Sequence, residues 1–342
     1  MGTSTFCAIW RAMGVREGCA SPVAGFASRF DLARLQEVSV TAVWVDRSCP
    51  LCGSVDQSHV VAESNIDLAK LGKFAFASRK KPEYMHPRLI ECPSCSLLYG
   101  SPVLSPETLA DAYRDAAFDG GNEARYASIT YAREVRKIMR RLPDLNGSLD
   151  IGTGDGAFLE QLISLGFQNV IGVEPSQAPY AAARPEIRNR IRLGLFRPED
   201  YPPAGFSLVT CFQTMEHLWD PLGIARAVLP LLKTGAAFGI VVHNRHALSA
   251  RVLGFKSPIF DVEHLQLFSP KTACSLLERA GYKHMQVASL WNRYPLYYWM
   301  KLLPLPDRIK GALLCLAHTS RIGKMLVSLP AGNLVCIGFK EV

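Results

Sequence analysis

The sequence lacks several features that would assign it to a class at once. It contains no unbroken run of about 18 apolar residues, the length that a transmembrane helix requires. Its first 30 residues lack the continuous apolar core of a secretory signal. No Ser-His-Asp or Cys-His spacing typical of a hydrolase is apparent. These absences argue against a membrane-spanning protein, a secreted protein and a covalent hydrolase, and we expect a cytoplasmic protein.

The composition is that of a globular protein with a local excess of positive charge. The chain has 342 residues, of which 49% are hydrophobic and 20% are charged, enough for a full core and for two domains. Its net charge is +8, and residues 290–342, with seven basic and two acidic side chains, contribute +5 of it. Because no basic run interleaved with aromatic residues occurs, we do not expect nucleic acid as a partner.

A glycine-rich stretch dominates the middle of the chain. Residues 148–156 read Ser-Leu-Asp-Ile-Gly-Thr-Gly-Asp-Gly and precede a helical pattern, which predicts a strand, a tight loop and a helix. Glycines at alternate positions let a ligand approach the backbone, and the helix start offers unpaired N–H groups. Glu174 follows the next apolar run, 24 residues after Asp150, where an acid can accept hydrogen bonds from a ribose.

The glycines alone leave the ligand open. Gly152, Gly154 and Ala157 fit the dinucleotide pattern G-x-G-x-x-G/A, whereas Asp150 with three glycines fits D-x-G-x-G-x-G. A purely structural glycine turn is the third interpretation. The acid, the glycines, the helix and the second acid favour a nucleotide-bearing cofactor over a simple turn.

Two cysteine pairs indicate a metal site in the N-terminal part. They are Cys49-x-x-Cys52 and Cys92-x-x-Cys95, separated by 39 residues. Each pair places two thiolates on one turn, and two such turns give the four-sulfur set of structural zinc. Redox use of one pair and four buried thiols without a metal are the alternatives. Four cysteine ligands would close the coordination shell, so the predicted role is structural.

Strand and helix patterns then alternate along the second half of the chain. This alternation predicts a doubly wound α/β fold with a mostly parallel sheet. The predicted elements cover 148–151, 157–165, 169–173, 176–183, 191–193, 207–212, 221–232 and 237–242. The predicted domains are a flexible extension at 1–40, a four-cysteine zinc-binding domain at 41–104, a helical lid or linker at 105–146 and a cofactor-binding domain at 147–342.

Later motifs carry a family resemblance. Glu216-His217-Leu218-Trp219-Asp220-Pro221, a helical stretch and Leu232-Lys233-Thr234-Gly235 follow the predicted fourth strand, and His264-Leu265-Gln266-Leu267-Phe268-Ser269 precedes Leu276-Leu277-Glu278-Arg279-Ala280-Gly281-Tyr282. Together with the glycine stretch, this passage resembles class I S-adenosylmethionine-dependent methyltransferases of the ubiquinone-biosynthesis-like, small-molecule branch. The resemblance covers about 147–291 and a last strand near 333–340. It implies a seven-stranded Rossmann-like sheet, preceded here by a zinc-ribbon-like domain.

The resemblance also implies a set of cofactor contacts. They are Asp150, Gly152, Thr153, Gly154, Gly156, Glu174, Leu195, Phe196 and Gln213. The chain departs from the family after the third strand, where an acid often meets the adenine amine. Leu195 and Phe196 stand there instead, and they are expected to sandwich the adenine ring. Tyr113, Tyr126 and Tyr131 either line a helical lid over the cofactor or simply pack.

Candidate catalytic bases lie after the carboxyl ends of strands. They are His217, His243 and His264, each able to remove a proton from an acceptor hydroxyl. The expected reaction is methyl transfer to a small molecule or saccharide, with O-methylation of a sugar or glycan favoured. Methyltransferases with a similar cysteine domain often act on such sugars. An RNA methyltransferase and a non-catalytic zinc-bearing scaffold are the alternatives.

Residues 291–332 form an insertion between the last two predicted strands. The segment holds Trp291, Tyr294, Tyr297, Tyr298 and Trp299, then an amphipathic pattern from Arg308 with basic residues at its ends. Packing on the sheet edge or a dimer contact is one interpretation. Peripheral binding to a membrane that carries a lipid-linked acceptor is the other.

Overall fold

The structure, a computed structural model, describes residues 43–67, 75–77, 83–118, 123–302, 310–311, 314, 317, 322–330 and 332–341. The extension predicted at 1–40 lies outside the described residues. The strands are β1 Trp44–Val45, β2 Val60–Ala62, β3 Leu89–Glu91, β4 Leu98–Gly100, β5 Val103–Leu104, β6 Asn146–Ile151, β7 Gln168–Glu174, β8 Ile191–Leu193, β9 Phe206–Phe212, β10 Leu232–His243, β11 Gln266–Leu267, β12 Lys283–Ser289, β13 Asn292–Pro295, β14 Leu326–Leu329 and β15 Asn333–Phe339. The helices are α1 Pro106–Arg114, α2 Glu123–Ile138, α3 Ala157–Ser164, α4 Gln177–Ala182, α5 Pro185–Arg188, α6 Pro221–Val228, α7 Leu248–Leu253, α8 Pro270–Ala280 and α9 Leu296–Leu302.

Seven strands form one sheet in the order β12-β15-β10-β9-β6-β7-β8. The pairs β8·β7, β7·β6, β6·β9 and β9·β10 are parallel. β15 pairs antiparallel with both β10 and β12. The predicted doubly wound, mostly parallel seven-stranded sheet is therefore confirmed, with β6 at the point where the strand order reverses.

Helices cover both faces of this sheet, as alternation of strands and helices requires. On one face, α2 and α3 bury Tyr131, Val135 and Phe158 against the sheet. On the other face, α6 and α8 bury Val228 and Leu276. The second core also includes Cys49, Leu51, Ile90 and Tyr99 from the N-terminal part. We call the described residues between 43 and 104, which carry the four cysteines, the cysteine module. The cysteine module and the large sheet thus share one apolar core.

The cysteine module has a small sheet of its own, to which the second half of the chain adds a strand. Its order is β11-β4-β3-β2, and all three pairings are antiparallel. The two-residue strand β11 comes from Gln266–Leu267, beyond the predicted boundary at 104. The sequence pattern did not predict this strand. The domain boundaries themselves remain a prediction.

Local sequence explains where several helices begin. The Ser105 hydroxyl accepts a hydrogen bond from Thr108 N and Pro106 occupies the first turn of α1, so this helix begins with a capped N-terminus. At α8, Ser269 and Thr272 form a reciprocal capping box, and Gly281 ends the helix in the left-handed conformation with a φ of 103°. These capping residues determine where α1 begins and where α8 begins and ends.

One predicted turn lies inside a strand. Lys233-Thr234-Gly235 was expected to precede a strand starting at 237, but β10 begins at Leu232. The register against β9 shifts between Leu232 and Ala237, and Gly235 has a φ of 77°. A bulge therefore absorbs the glycine without ending the strand.

The insertion at 291–332 contains a two-stranded sheet and a short helix. β13 pairs antiparallel with β14, and Trp299 Nε1 of α9 donates a hydrogen bond of 2.9 Å to Val327 O. Residues 310, 311, 314 and 317 are helical, and the rest of the amphipathic pattern from Arg308 lies outside the described residues. Among the described helices, none is both long and apolar enough to cross a bilayer.

Candidate functional site

The glycine loop between β6 and α3 is shaped by three left-handed residues. Gly152, Gly154 and Gly156 have φ angles of 76°, 60° and 76°. A Cβ added at Gly152 would lie 2.4 Å from the Thr214 hydroxyl, and one at Gly156 would lie 2.3 Å from an Ile187 methyl group. A Cβ at Gly154 would meet nothing within 4 Å. Two glycines thus permit close packing, and the third borders open space that a ligand can enter.

Two buried acids frame this loop. One oxygen of Glu174 accepts a hydrogen bond of 2.8 Å from Gly154 N, and the other accepts one of 2.9 Å from Ser176 N. Asp150 accepts a bond of 2.6 Å from the Thr210 hydroxyl on β9. Burial raises the pKa of Glu174, and it raises the pKa of Asp150 to about 7. Glu174 therefore lies at the loop, where the sequence motif predicts a ribose acceptor.

Three further predicted cofactor residues, Leu195, Phe196 and Gln213, follow the ends of β8 and β9. Leu195 is 55% exposed, and the Phe196 ring stacks on Tyr201 with a centroid distance of 5.7 Å. Gln213 has a φ of 54°, unusual for a residue with a side chain. Its amide Nε2 is buried and has no hydrogen-bond partner among the described residues. Strain and an unsatisfied donor at a strand end are typical of a ligand site.

The three candidate histidines, which come from three separate segments, meet in space. The ring centroids of His217 and His264 are 4.9 Å apart, and those of His264 and His243 are 5.0 Å apart. We call these three side chains the histidine cluster. Gly152 packs against Thr214, three residues before His217, so the glycine loop contacts the segment that carries His217.

Hydrogen bonds fix how two of these rings carry their protons. His264 Nδ1 lies 2.9 Å from Ile259 O, and His243 Nδ1 lies 2.8 Å from Asn333 Oδ1. Both oxygens only accept, so each Nδ1 carries the proton and each Nε2 carries the lone pair. Burial lowers the pKa of His243 to about 4, which makes it a weak base. His264, at the centre of the cluster, has the lone pair that a general base needs.

Two further side chains, Tyr113 and Glu216, contact residues of the histidine cluster. The Tyr113 hydroxyl lies 3.0 Å from His217 Nδ1, and burial raises the pKa of Tyr113 well above its usual value. Glu216 is fully buried, and its Oε1 accepts a bond of 2.6 Å from His243 N. Its Oε2 has no hydrogen-bond partner within the described part of the chain. Burial raises the pKa of Glu216 to about 8, so the carboxyl is mostly protonated at neutral pH.

The four predicted metal ligands also come together. The Sγ atoms of Cys49 and Cys95 are 3.5 Å apart, those of Cys52 and Cys92 are 3.4 Å apart, and all four lie within 4.8 Å of one another. Tetrahedral zinc with bonds of about 2.3 Å requires separations of about 3.8 Å, so the set fits such an ion. The Cys49 and Cys95 sulfurs share one proton, which lowers the pKa of Cys95 and raises that of Cys49.

The two cysteine turns have the same backbone design. Gly53 N donates to Cys49 O at 2.8 Å, and Ser96 N donates to Cys92 O at 2.8 Å. Gly53 and Ser96, each directly after the second cysteine of its pair, have φ angles of 75° and 64°. Each turn therefore directs both of its thiols to one side.

Comparison with known proteins is consistent with this geometry. Residues 124–287, which include the glycine loop, Glu174 and the histidine cluster, match the family described as methyltransferase domain. Residues 124–287 are a methyltransferase domain. Its sheet order and its glycine loop are those of the class I, S-adenosylmethionine-dependent kind, so the assignment made from the sequence motifs is confirmed. The cofactor of such a methyltransferase domain is S-adenosylmethionine.

The domain is also similar to curated proteins, over shorter stretches than the family match. It is 26% identical over 146 residues to a ubiquinone biosynthesis O-methyltransferase of Aeromonas salmonicida, covering 39% of this chain and 61% of that protein. It is 31% identical over 104 residues to the protein of the same name from Pseudomonas aeruginosa, covering 29% and 44%. The chain thus spans about half the length of these curated relatives. A solved structure from Thermotoga maritima, a possible histamine N-methyltransferase, aligns at 18% identity over 64% of this chain and 91% of its own, with a TM-score of 0.42.

Proposed function

We propose that this protein transfers a methyl group from S-adenosylmethionine to a hydroxyl of a small molecule, and that the acceptor is a saccharide. The observation that carries the proposal is the contact between the open glycine loop and the segment of the histidine cluster through Gly152 and Thr214. This contact supports a site in which the cofactor loop lies next to groups that can take a proton. The names of the relatives from Aeromonas and Pseudomonas also specify O-methyl transfer.

The proposed roles follow from the chemistry of the residues. S-adenosylmethionine supplies a methyl group on a sulfonium centre, which an oxygen nucleophile displaces in line. Glu174 accepts hydrogen bonds from the ribose, and Gly154 leaves the space for it. Gln213 offers its buried amide to the cofactor side, and Leu195 and Phe196 lie at the adenine end. The lone pair of His264 Nε2 takes the proton that the acceptor hydroxyl loses.

The cysteine module supports the choice of a saccharide, since it resembles the N-terminal domain of methyltransferases that act on sugars. We propose that Cys49, Cys52, Cys92 and Cys95 bind one structural zinc ion there. The spacing of the sulfurs and the matching turns support this assignment.

The experiment uses purified protein, methyl-labelled S-adenosylmethionine and four acceptor pools: nucleotide sugars, lipid-linked glycans, phenolic quinone precursors and RNA. We expect label in a sugar pool in the parent protein and none with Gly154→Val. Label in the phenolic pool would keep the methyltransferase and reject the saccharide. Label only in RNA would reject both the small-molecule acceptor and the roles assigned to the cluster.

We also propose that residues 291–332 touch an anionic membrane from its surface. Trp291, Ile322 and Met325 are 55%, 63% and 59% exposed, and the basic Lys324 lies between Ile322 and Met325 in the sequence. Exposed apolar side chains with a basic neighbour suit a lipid interface. The test is sedimentation with phosphatidylserine-containing vesicles, comparing Trp291→Ser/Ile322→Ser/Met325→Ser with Val55→Ser, an exposed valine of the cysteine module. Binding unchanged in the triple variant, or absent in the parent at low salt, would make the segment a packing element.

A further inference from the structure

Arg47 lies in the cysteine module, but its side chain ends among the loops of the methyltransferase domain. The side chain is buried, and its guanidinium donates to four oxygen atoms. Nε donates to Gly100 O at 3.1 Å, which lies inside the module. Nη1 donates to Trp219 O at 3.1 Å, and Nη2 donates to Leu265 O at 2.6 Å and to Gln266 Oε1 at 2.9 Å. One arginine therefore joins the module to two separate loops.

Gln266 extends this connection. While its Oε1 accepts from Arg47, its Nε2 donates to Met215 O at 2.6 Å and to Leu218 O at 2.9 Å. Leu265 N also donates to Glu216 O at 2.8 Å. The amide of Gln266 is thus oriented by the arginine on one side and holds the first loop on the other.

These contacts surround two members of the histidine cluster. His217 lies between Met215 and Leu218, and the carbonyls of both accept hydrogen bonds from Gln266. The carbonyl of Trp219, two residues after His217, accepts a hydrogen bond from Arg47. His264 directly precedes Leu265, whose carbonyl also accepts from Arg47. The backbone on both sides of the 4.9 Å contact between the two rings is therefore fixed by the same pair of side chains.

The position of Arg47 is in turn set by the cysteine module. Arg47 precedes the first ligand pair by two residues, and its guanidinium lies 5.9 Å from the Tyr99 ring centroid and 5.5 Å from that of Trp219. Tyr99 belongs to β4, which leads out of the second cysteine turn and pairs with β11, placing Gln266 opposite Tyr99. The arginine is therefore held on the module side by the strand that also receives β11.

We propose that Arg47 is a positioning residue for methyl transfer. It aligns His217 and His264, and through it the cysteine module holds the active-site loops in position. This inference rests on the proposed function, because the position of these loops has a catalytic effect only if the histidine cluster takes part in the reaction. It assigns to the module a task beyond folding, namely to hold two loops that meet at the acceptor.

The test compares two substitutions of Arg47 with a matched control. Arg47→Lys keeps the charge and loses the fork of donors, and Arg47→Met also loses the charge. Arg88→Met is the control, since Arg88 is a half-buried arginine of the same module whose side chain contacts Gln57 and Glu63. In the Arg47 variants we expect kcat to fall on the order of a hundredfold, the size of effect that a displacement of about 1 Å can have. The dissociation constant for S-adenosylmethionine and the metal content should stay as in the parent.

A second readout does not need turnover. The imidazole nitrogen resonances of His217 and His264 report their tautomers, and we expect both to change in Arg47→Lys and to stay in Arg88→Met. The pH profile of kcat should shift in the same variant. If Arg47→Met fails to fold, Gln266→Met removes the hydrogen bonds to Met215 O and Leu218 O. It should then give the same loss of kcat and the same changes in the histidine resonances.

The outcomes separate the two proposals. Unchanged histidine resonances in a folded Arg47 variant would overturn the role of Arg47, even if that variant were less stable. Changed resonances in a protein that methylates no acceptor would leave the geometry intact and overturn the proposed function. Equal losses of kcat in Arg47→Lys and Arg88→Met would reduce the module to a general folding element and would also overturn the inference.

Discussion

The backbone N–H of Gly154 donates a hydrogen bond of 2.8 Å to the carboxylate of Glu174, which joins the glycine loop to the end of the second parallel strand. The acid therefore has two tasks. It holds the loop in its left-handed conformation, and in the proposed function it also accepts hydrogen bonds from ribose hydroxyls, because each carboxylate oxygen can accept more than one hydrogen bond. Changing Glu174 would disturb both tasks, so Gly154 offers the cleaner test of cofactor binding.

Gly154→Val should abolish binding of S-adenosylmethionine. The added side chain would fill the open space beside the loop, and a φ of 60° also strains a β-branched residue. Isothermal titration calorimetry should show binding in the parent and none in the variant.

The matched control for Gly154→Val is Gly235→Val. Gly235 has a φ of 77° and equally open surroundings, but it lies at the bulge in β10, at the other end of the strand from His243. A comparable loss of stability with intact cofactor binding is expected. Tighter binding of NAD than of S-adenosylmethionine by the parent would contradict the assignment of the cofactor.

Cys92→Ser should remove metal and thermal stability together. Metal analysis of the parent should give about one zinc per chain, and binding of a structural ion is coupled to folding. Cys274→Ser is the control, because Cys274 lies 3.8 Å from Cys336 between α8 and β15, away from the four ligands. Full metal occupancy after loss of both Cys92 and Cys95 would show that the ion binds elsewhere.

Glu216→Gln should make the stability of the protein less dependent on pH. Burial raises the pKa of Glu216 to about 8 in the folded state, while an unfolded glutamate titrates near about 4.3. Between these values the folded state holds a proton that the unfolded state releases, so the free energy of unfolding of the parent falls as pH rises from about 4.3 to 8. Without this group the fall should be smaller by up to about 1.4 kcal/mol per pH unit.

Chemical denaturation at a series of pH values measures this slope for Glu216→Gln. Glu199→Gln changes a solvent-exposed carboxyl and should leave the slope as in the parent. Parallel curves for the parent and Glu216→Gln would mean that the Glu216 carboxyl is already ionised in the folded protein. Asp150 titrates in the same direction, so a residual slope up to about pH 7 is expected in the variant.

His264→Asn should reduce kcat/KM far more than His243→Asn. A positioned general base contributes about a hundredfold or more, and His264 offers its Nε2 lone pair from the middle of the cluster. His243, with its pKa lowered to about 4, is too weak a base at neutral pH. The reverse pattern would assign the base to His243.

The sequence predicted those parts of the fold that follow from repeated local patterns. Apolar runs alternating with helical periods predicted β6 to β10 to within a few residues, and the paired cysteines predicted a four-sulfur cluster. The motifs after strand ends predicted three candidate bases separately. The structure brings His217 and His243 together because they lie at the carboxyl ends of the neighbouring parallel strands β9 and β10, and His264 reaches them from the loop before β11.

What the sequence could not predict depends on contacts between distant and unpatterned residues. β11 has two residues, too few for any period, and its pairing with β4 depends on tertiary packing. Arg47 belongs to no motif, and three of its four acceptors are backbone carbonyls, which every residue type carries. Tyr113 was predicted either to line a lid or to pack, and only the coordinates place its hydroxyl against His217.

The pairing of β4 with β11 also has a consequence for the order in which the chain folds during its synthesis. Arg47 and Leu265 are 218 positions apart, so a chain emerging from the ribosome completes both cysteine turns long before the loops that the arginine holds exist. Until then β4 presents an unpaired edge, and the guanidinium lacks most of its acceptors. Such an edge is a site of aggregation in nascent chains. Early capture of a metal ion would keep this first segment compact while the remaining strands are synthesised.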